Sequence, residues 1–193
     1  MKTDIILAGV GGQGILSIAT IIGAAALEEN LYLKQAEVHG MSQRGGDVQS
    51  NLRISSSPIA SDLIPLGGAD VIISLEPMEA LRYLPFLSKE GWVVTNTTPF
   101  VNIPDYPEME KINAELASLP HVVAFDMDAV AKENASPRAS NMVLMGAAAP
   151  FVGLEISKLE DGIRTIFGRK GEAIVESNLK AFRAGLALSA SKN

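Results

Sequence analysis

Cysteine is absent from all 193 residues. That one gap removes disulfides, thiolate nucleophiles, Cys-ligated zinc and Cys-held iron–sulfur clusters together. Any thiol or iron–sulfur redox chemistry that involves this chain therefore uses groups held elsewhere. Histidine is nearly as scarce, with two residues, His39 and His121. They are too far apart for an H-E-x-x-H metal motif, and His121 beside Pro120 reads as structural. An excess of positive charge is also missing: 16 Lys and Arg face 22 Asp and Glu, for a formal charge of −6 and a pI near 5.0. Nucleic-acid binding draws its affinity from clustered cations, so nucleic acid is not an expected partner. No G-x-S-x-G elbow or D-x-D-x-D-G calcium loop occurs, and no nucleophile stands with an evident base.

The hydrophobic fraction of 47% is ample for a core in one domain spanning 1–193. No internal repeat, low-complexity tract or linker divides it. Residues 5–27 carry no charge, long enough on hydropathy alone to suggest a membrane span. The cluster Gly9-Val10-Gly11-Gly12-Gln13-Gly14 would break such a helix, and Asp4 spoils the basic start of a signal peptide. A buried strand, a turn and a buried helix fit better, which predicts a soluble, cytoplasmic protein with no membrane partner.

Apolar runs and turn signals then alternate. Strands are expected over 5–8, 32–38, 48–54, 71–75, 92–95 and 122–125, and helices over 13–29, 77–87 and 108–119. Pro99, Pro104 and Pro107 mark 97–107 as an irregular connection. Beyond residue 127 the chain reads as helical, over 128–133, 141–149, 158–167 and 172–190. Ser157 with Glu160 three residues later has the capping-box pattern. The fold class is α/β: a mostly parallel, Rossmann-like sheet with helices on both faces, an antiparallel member near 48–54, and a helical C-terminal portion.

Three segments carry chemistry. Gly9, Gly11 and Gly14 satisfy G-x-G-x-x-G between a strand and a helix, where backbone amides and the helix dipole favour an anion. Glu37, at the end of the second strand, stands where a Rossmann acid would meet a ribose. A tight turn needs the same glycines without any ligand, so both readings stay open. Ile15-Leu16 replaces the Lys-Ser or Lys-Thr of a Walker A loop, which excludes an NTPase. In the second segment, Glu37 to Gly46, Arg44 beside Gly45-Gly46 can offer a planar donor fork to a carboxylate or phosphate; the plain alternative is a solvated turn. The third begins at Asn141 and runs through small residues to Ala149. These suit close helix packing, with Asn141 as a ligand group or merely a helix N-cap.

Together these segments resemble the gamma component of 2-oxoacid:ferredoxin oxidoreductases. The stretch Glu37-Val38-His39-Gly40-Met41-Ser42-Gln43-Arg44-Gly45-Gly46 is similar to the branch acting on indolepyruvate and other arylpyruvates. The resemblance implies oxidative decarboxylation of an arylpyruvate with coenzyme A as co-substrate, giving an aryl-acetyl thioester and reduced ferredoxin. It also implies a large companion subunit holding thiamine diphosphate, magnesium and iron–sulfur clusters, with this chain inactive alone. That division agrees with the absence of cysteine. Gly9, Gly11, Gly12, Gln13, Gly14, Glu37, Gly45, Gly46 and Asn141 become candidates for cofactor contact and Arg44 a candidate catalytic residue, with no metal ligand assigned. A freestanding NAD- or flavin-binding domain is the alternative.

Overall fold

A computed structural model describes residues 1–39 and 45–190. Its sheet has six strands: β1 Lys2–Val10, β2 Tyr32–His39, β3 Asp47–Ser55, β4 Ala69–Ser74, β5 Leu87–Asn96 and β6 Val122–Phe125, in the order β2-β3-β1-β4-β5-β6. The strands β1, β4, β5 and β6 are mutually parallel, while β3 runs antiparallel to both β1 and β2. This is the mostly parallel α/β sheet expected from the alternation, with its antiparallel member where 48–54 placed it. The described helices are α1 Ile15–Glu28, α2 Pro77–Arg82, α3 Met109–Ser118, α4 Met127–Asn134, α5 Ser140–Ala148, α6 Ile156–Phe167 and α7 Glu172–Ala190.

Successive side chains of a strand point to opposite faces, and β1 is apolar on both. Ile5 and Leu7 join a large core with Ile18 and Ile22 of α1, Val143 of α5 and Phe182 of α7. Ile6 and Ala8 join a smaller one with Ala80 of α2 and Ile112 of α3. The uncharged stretch 5–27 is thus the sheet centre and its covering helix, and no described helix is long and apolar enough to cross a membrane.

The C-terminal helices cross at unusually short range. A Cβ on Gly146 of α5 would lie 2.7 Å from the Phe182 carbonyl carbon, and one on Gly185 of α7 would lie 2.8 Å from that of Val143. Each helix seats its glycine on the other's backbone, the close packing that the small-residue run suggested.

Several boundaries differ from expectation. Helix α2 stops at Arg82 and a 3-10 turn spans Leu84–Phe86, because Pro85 has no N–H with which to continue an α-helix. Strand β5 begins at Leu87 rather than 92, with a register shift against β4 between Ala69 and Val71. The capping box at Ser157 does not form. Helix α6 starts at Ile156 with Glu155 as its N-cap residue, so Ser157 lies inside the helix. Glu160 instead accepts paired bonds from Arg183 at 2.7 Å and one from Arg164 at 3.1 Å, tying α6 to α7. Two guanidinium groups outcompete a backbone amide for that carboxylate. Asn141 is not an N-cap either: that position is Ala139, which leaves the Asn141 amide for another task.

Candidate functional site

The glycine segment leaves β1 at its C-terminal end and enters α1 through Gly14, whose φ of 81° and ψ of 23° are left-handed. A side chain there would be strained and would also meet Asn141, whose Nδ2 lies 2.8 Å from the Cβ position. Asn141 Nδ2 donates to the Gly14 carbonyl at 3.3 Å, joining the starts of α1 and α5 across 127 residues. Gln13 braces the loop from within: its Oε1 accepts from the Val10 N–H at 2.7 Å and its Nε2 donates to the Leu75 carbonyl at 3.2 Å. Gly9 lacks a Cβ where the Gln13 side chain needs the space, 2.9 Å away.

The second glycine pair packs alongside. The Gly11 N–H donates to the Gly46 carbonyl at 2.8 Å and Gly45 returns a bond to the Gly11 carbonyl at 3.3 Å, extending the β1–β3 pairing past its last residues. Asn102 Nδ2 then holds the Gly45 carbonyl at 2.6 Å. Gly11 thus joins Gly45 and Gly46 directly, and Gly9, Gly12, Gln13, Gly14 and Asn141 lie in or against the same glycine segment at the C-terminal end of β1. Arg44 lies outside the described residues. Glu37 is not brought to the loop: it pairs with Ser50, which pairs in turn with Leu7, so β3 stands between Glu37 and β1. Its carboxylate accepts from Gln35 Nε2 at 2.7 Å.

Two clefts flank the glycine segment. One, of about 430 Å³, is mostly apolar and lies between Gly11, Gly12, Leu16 and Val48. The other, of about 510 Å³, opens at the C-terminal ends of β1, β4 and β5, where the chain direction across the sheet reverses. Such switch points are where open α/β sheets bind ligands. Its walls include Gly12, Asn96, Thr98, Asp128, Arg138 and Asn141. The starts of α1, α4 and α5 all border it, and neither α1 nor α5 carries a side-chain cap. Asp128 is a strut: its carboxylate accepts from Asn96 Nδ2 at 2.9 Å and from the Ser140 hydroxyl. Arg138 is the cation of the lining. These are groups that bind and orient an anion.

Sequence reasoning missed Asn96, Asp128 and Arg138. Their signal was positional: Asn96 ends a parallel strand, Asp128 lies in the first turn of α4 and Arg138 comes just before α5, all at the sheet's carboxyl edge. It also missed Glu76, fully buried just beyond β4. One Glu76 oxygen caps α2 by accepting from the Glu79 N–H at 2.9 Å. The other accepts from the Phe100 N–H at 3.3 Å and from the Tyr106 hydroxyl. Burial first, then that hydrogen bond to Glu76, raises the Tyr106 phenol above its ordinary pKa and keeps it a donor.

The geometry departs from a dinucleotide fingerprint in two respects. The Val10, Gly11 and Gln13 amides are already bonded within the protein, and the acid of β2 stands a strand too far away. The family model described as pyruvate ferredoxin/flavodoxin oxidoreductase matches residues 4–188. The chain belongs to that family. Among members of this oxidoreductase family, the indolepyruvate oxidoreductase subunit IorB of Archaeoglobus fulgidus is 39% identical, over 96% of this chain and 94% of the relative. The subunit of the same name from Methanothermobacter thermautotrophicus is 35% identical, over 98% and 99%. A solved 2-oxoglutarate:ferredoxin oxidoreductase from Magnetococcus marinus, with 2-oxoglutarate, coenzyme A and succinyl-CoA bound, superposes with a TM-score of 0.76 at 25% identity. That match covers 98% of this chain but 31% of the larger one. The keto/oxoacid ferredoxin oxidoreductase gamma subunit of Geobacter sulfurreducens shares the fold over 98% and 99% of the two chains, at 23% identity and a TM-score of 0.70.

Proposed function

We propose that this chain is the small, gamma-type subunit of an indolepyruvate:ferredoxin oxidoreductase, working as one domain in the cytoplasm and completing a site held mainly by a large companion subunit. The observation that carries the reading is the identity of 35–39% to four indolepyruvate oxidoreductase subunits, with 94% or more of each chain aligned. The assembled enzyme would convert an arylpyruvate and coenzyme A into an aryl-acetyl thioester and carbon dioxide, passing two electrons to ferredoxin.

Thiamine diphosphate supplies the decarboxylation chemistry, and it belongs with magnesium and the clusters to the companion. The donor set of this chain does not fit those groups. It has no thiolate for a cluster, and the described residues contain no gathering of three acidic or imidazole side chains for a metal ion. What the chain offers is placement. Gly12, Asn141 and Arg138, which line one cleft, present amides and a guanidinium suited to the anionic part of coenzyme A, with Gln13 holding that edge in shape. Arg44, which precedes Gly45-Gly46 in the sequence, is the candidate for a catalytic contribution to the shared site.

The test is anaerobic co-purification of this chain with its large partner, followed by dye reduction with indolepyruvate, pyruvate, 2-oxoglutarate and 2-oxoisovalerate. The expected result is a brown complex, dependent on coenzyme A, whose kcat/KM for indolepyruvate exceeds that for the others by about tenfold or more. Preference for 2-oxoglutarate would overturn the substrate, and a colourless lone chain would overturn the subunit reading.

A further inference from the structure

We infer that the connection between β5 and α3, residues 97–108, is a preformed docking ridge for the large companion subunit, with Val101 and Ile103 as its apolar anchors. The inference rests on the subunit reading above and adds where the partner sits. Phe100, Val101 and Ile103 are 44%, 66% and 41% exposed, whereas Asn102 between them turns inward to the Gly45 carbonyl. Three apolar side chains within four residues, all facing water, are costly for a lone protein and mark a contact surface. Within 97–108 only Asp105 and Glu108 are charged, both beyond the three apolar residues, and interface centres are depleted of charge in the same way.

The ridge is fixed from below. The buried Glu76 carboxylate holds the Phe100 N–H and the Tyr106 hydroxyl, and Asn102 ties the apex to Gly45, which is itself paired with Gly11. Three prolines, Pro99, Pro104 and Pro107, stiffen it further. A loop so anchored pays little ordering entropy on binding.

Two observations identify the occupant. The counterparts of this chain are 31% of the Magnetococcus marinus chain and 35% of the ketoisovalerate oxidoreductase subunit VorA of Methanothermobacter marburgensis, so in those proteins further chain is joined covalently to this unit. Phe100 also lines the polar cleft beside Gly12 and Gln13, so a body that closes that cleft meets the ridge at its rim.

The experiment measures binding of the full chain to immobilised large subunit under anaerobic conditions. Val101→Asp combined with Ile103→Asp, both at exposed positions, should leave the thermal midpoint unchanged and weaken binding about tenfold or more. Leu66→Asp, at a residue 71% exposed just before β4 and so at the opposite edge of the sheet, should bind as wild type does. Tyr106→Phe should weaken binding about threefold by releasing one tether of the ridge. Wild-type affinity in the double variant overturns the ridge alone, and equal weakening by Leu66→Asp does the same. Failure of the wild-type chain to bind brings down the ridge and the subunit reading together.

Discussion

Replacing Gly146 by alanine tests the helical half of the fold sharply, because two effects of known sign compete there. In a helix interior alanine is favoured over glycine by about 1 kcal/mol. Against that, the new methyl would sit 2.7 Å from the Phe182 carbonyl carbon and 3.0 Å from the Leu186 nitrogen, where ordinary contact begins near 3.5 Å. The Phe182 carbonyl oxygen lies closer still, and all three obstacles are backbone, so no rotamer change relieves them and α5 and α7 must part by more than about 1 Å. Overpacking of this kind costs up to about 3 kcal/mol, which leaves a net loss of about 2 kcal/mol. For a chain of this size that lowers the thermal midpoint by roughly 4–8 °C. Gly168→Ala is the control: its φ of −54° is helical and a Cβ there meets nothing within 4 Å, so it should be neutral or stabilise by up to about 1 kcal/mol. Calorimetry on both variants reads the difference. A midpoint that rises for Gly146→Ala would refute the backbone-on-backbone crossing.

Gln13→Ala strips the partners from the Val10 N–H and the Leu75 carbonyl, so it should cost about 1–3 kcal/mol in denaturant unfolding. In the assembled enzyme it should raise KM for coenzyme A more than it lowers kcat. Gly14→Ala should also destabilise, and adding Asn141→Ala should return the steric part but not the left-handed strain of about 1–2 kcal/mol, as a double-mutant cycle would show. Asp4 and Glu79 give opposite pH signatures. Burial alone would raise Asp4, but Arg53 and Lys2 outweigh it and hold the carboxyl below its ordinary value. Its stabilising effect is therefore complete above the unfolded pKa of about 3.9 and lost as pH falls through the lower folded value. Asp4→Asn should cost about 3 kcal/mol at pH 7 and flatten the acid limb of the stability profile. Burial outweighs Arg82 at Glu79 and raises its pKa, so that contribution is present at low pH and lost as pH rises through the folded value. Glu79→Gln should leave stability at pH 7 within about 1 kcal/mol, read by urea titration.

The sheet was legible because its signal is local. Continuous apolar runs at 5–8 and 71–75 announced central strands, and the alternation of 48–54 announced the strand that runs the other way. Glycines and prolines marked the turns by removing a Cβ or an N–H. The start of β5 was hidden because Lys89 and Glu90 are exposed and look like loop. The site was half legible. The glycine segment stood out, but the partners that shape it are remote in sequence: Asn141 reaches Gly14 across 127 residues, and Gln13 reaches Leu75 across 62. Glu37 shows the limit of spacing arguments. Its distance from the glycines suits a ribose acid, yet the hairpin inserts β3 between β2 and β1 and carries Glu37 a strand away. Glu160 shows the limit of local motifs, because Arg183 on another helix takes the carboxylate that a capping box requires.

The central claim is that this chain completes an active site that another chain carries. Titrating it anaerobically into a fixed amount of the isolated large subunit, while following indolepyruvate- and coenzyme-A-dependent dye reduction, tests that claim most directly. The account predicts turnover that rises from near background and saturates at a fixed molar ratio. Full activity of the large subunit alone, or no activity at any ratio, would contradict it.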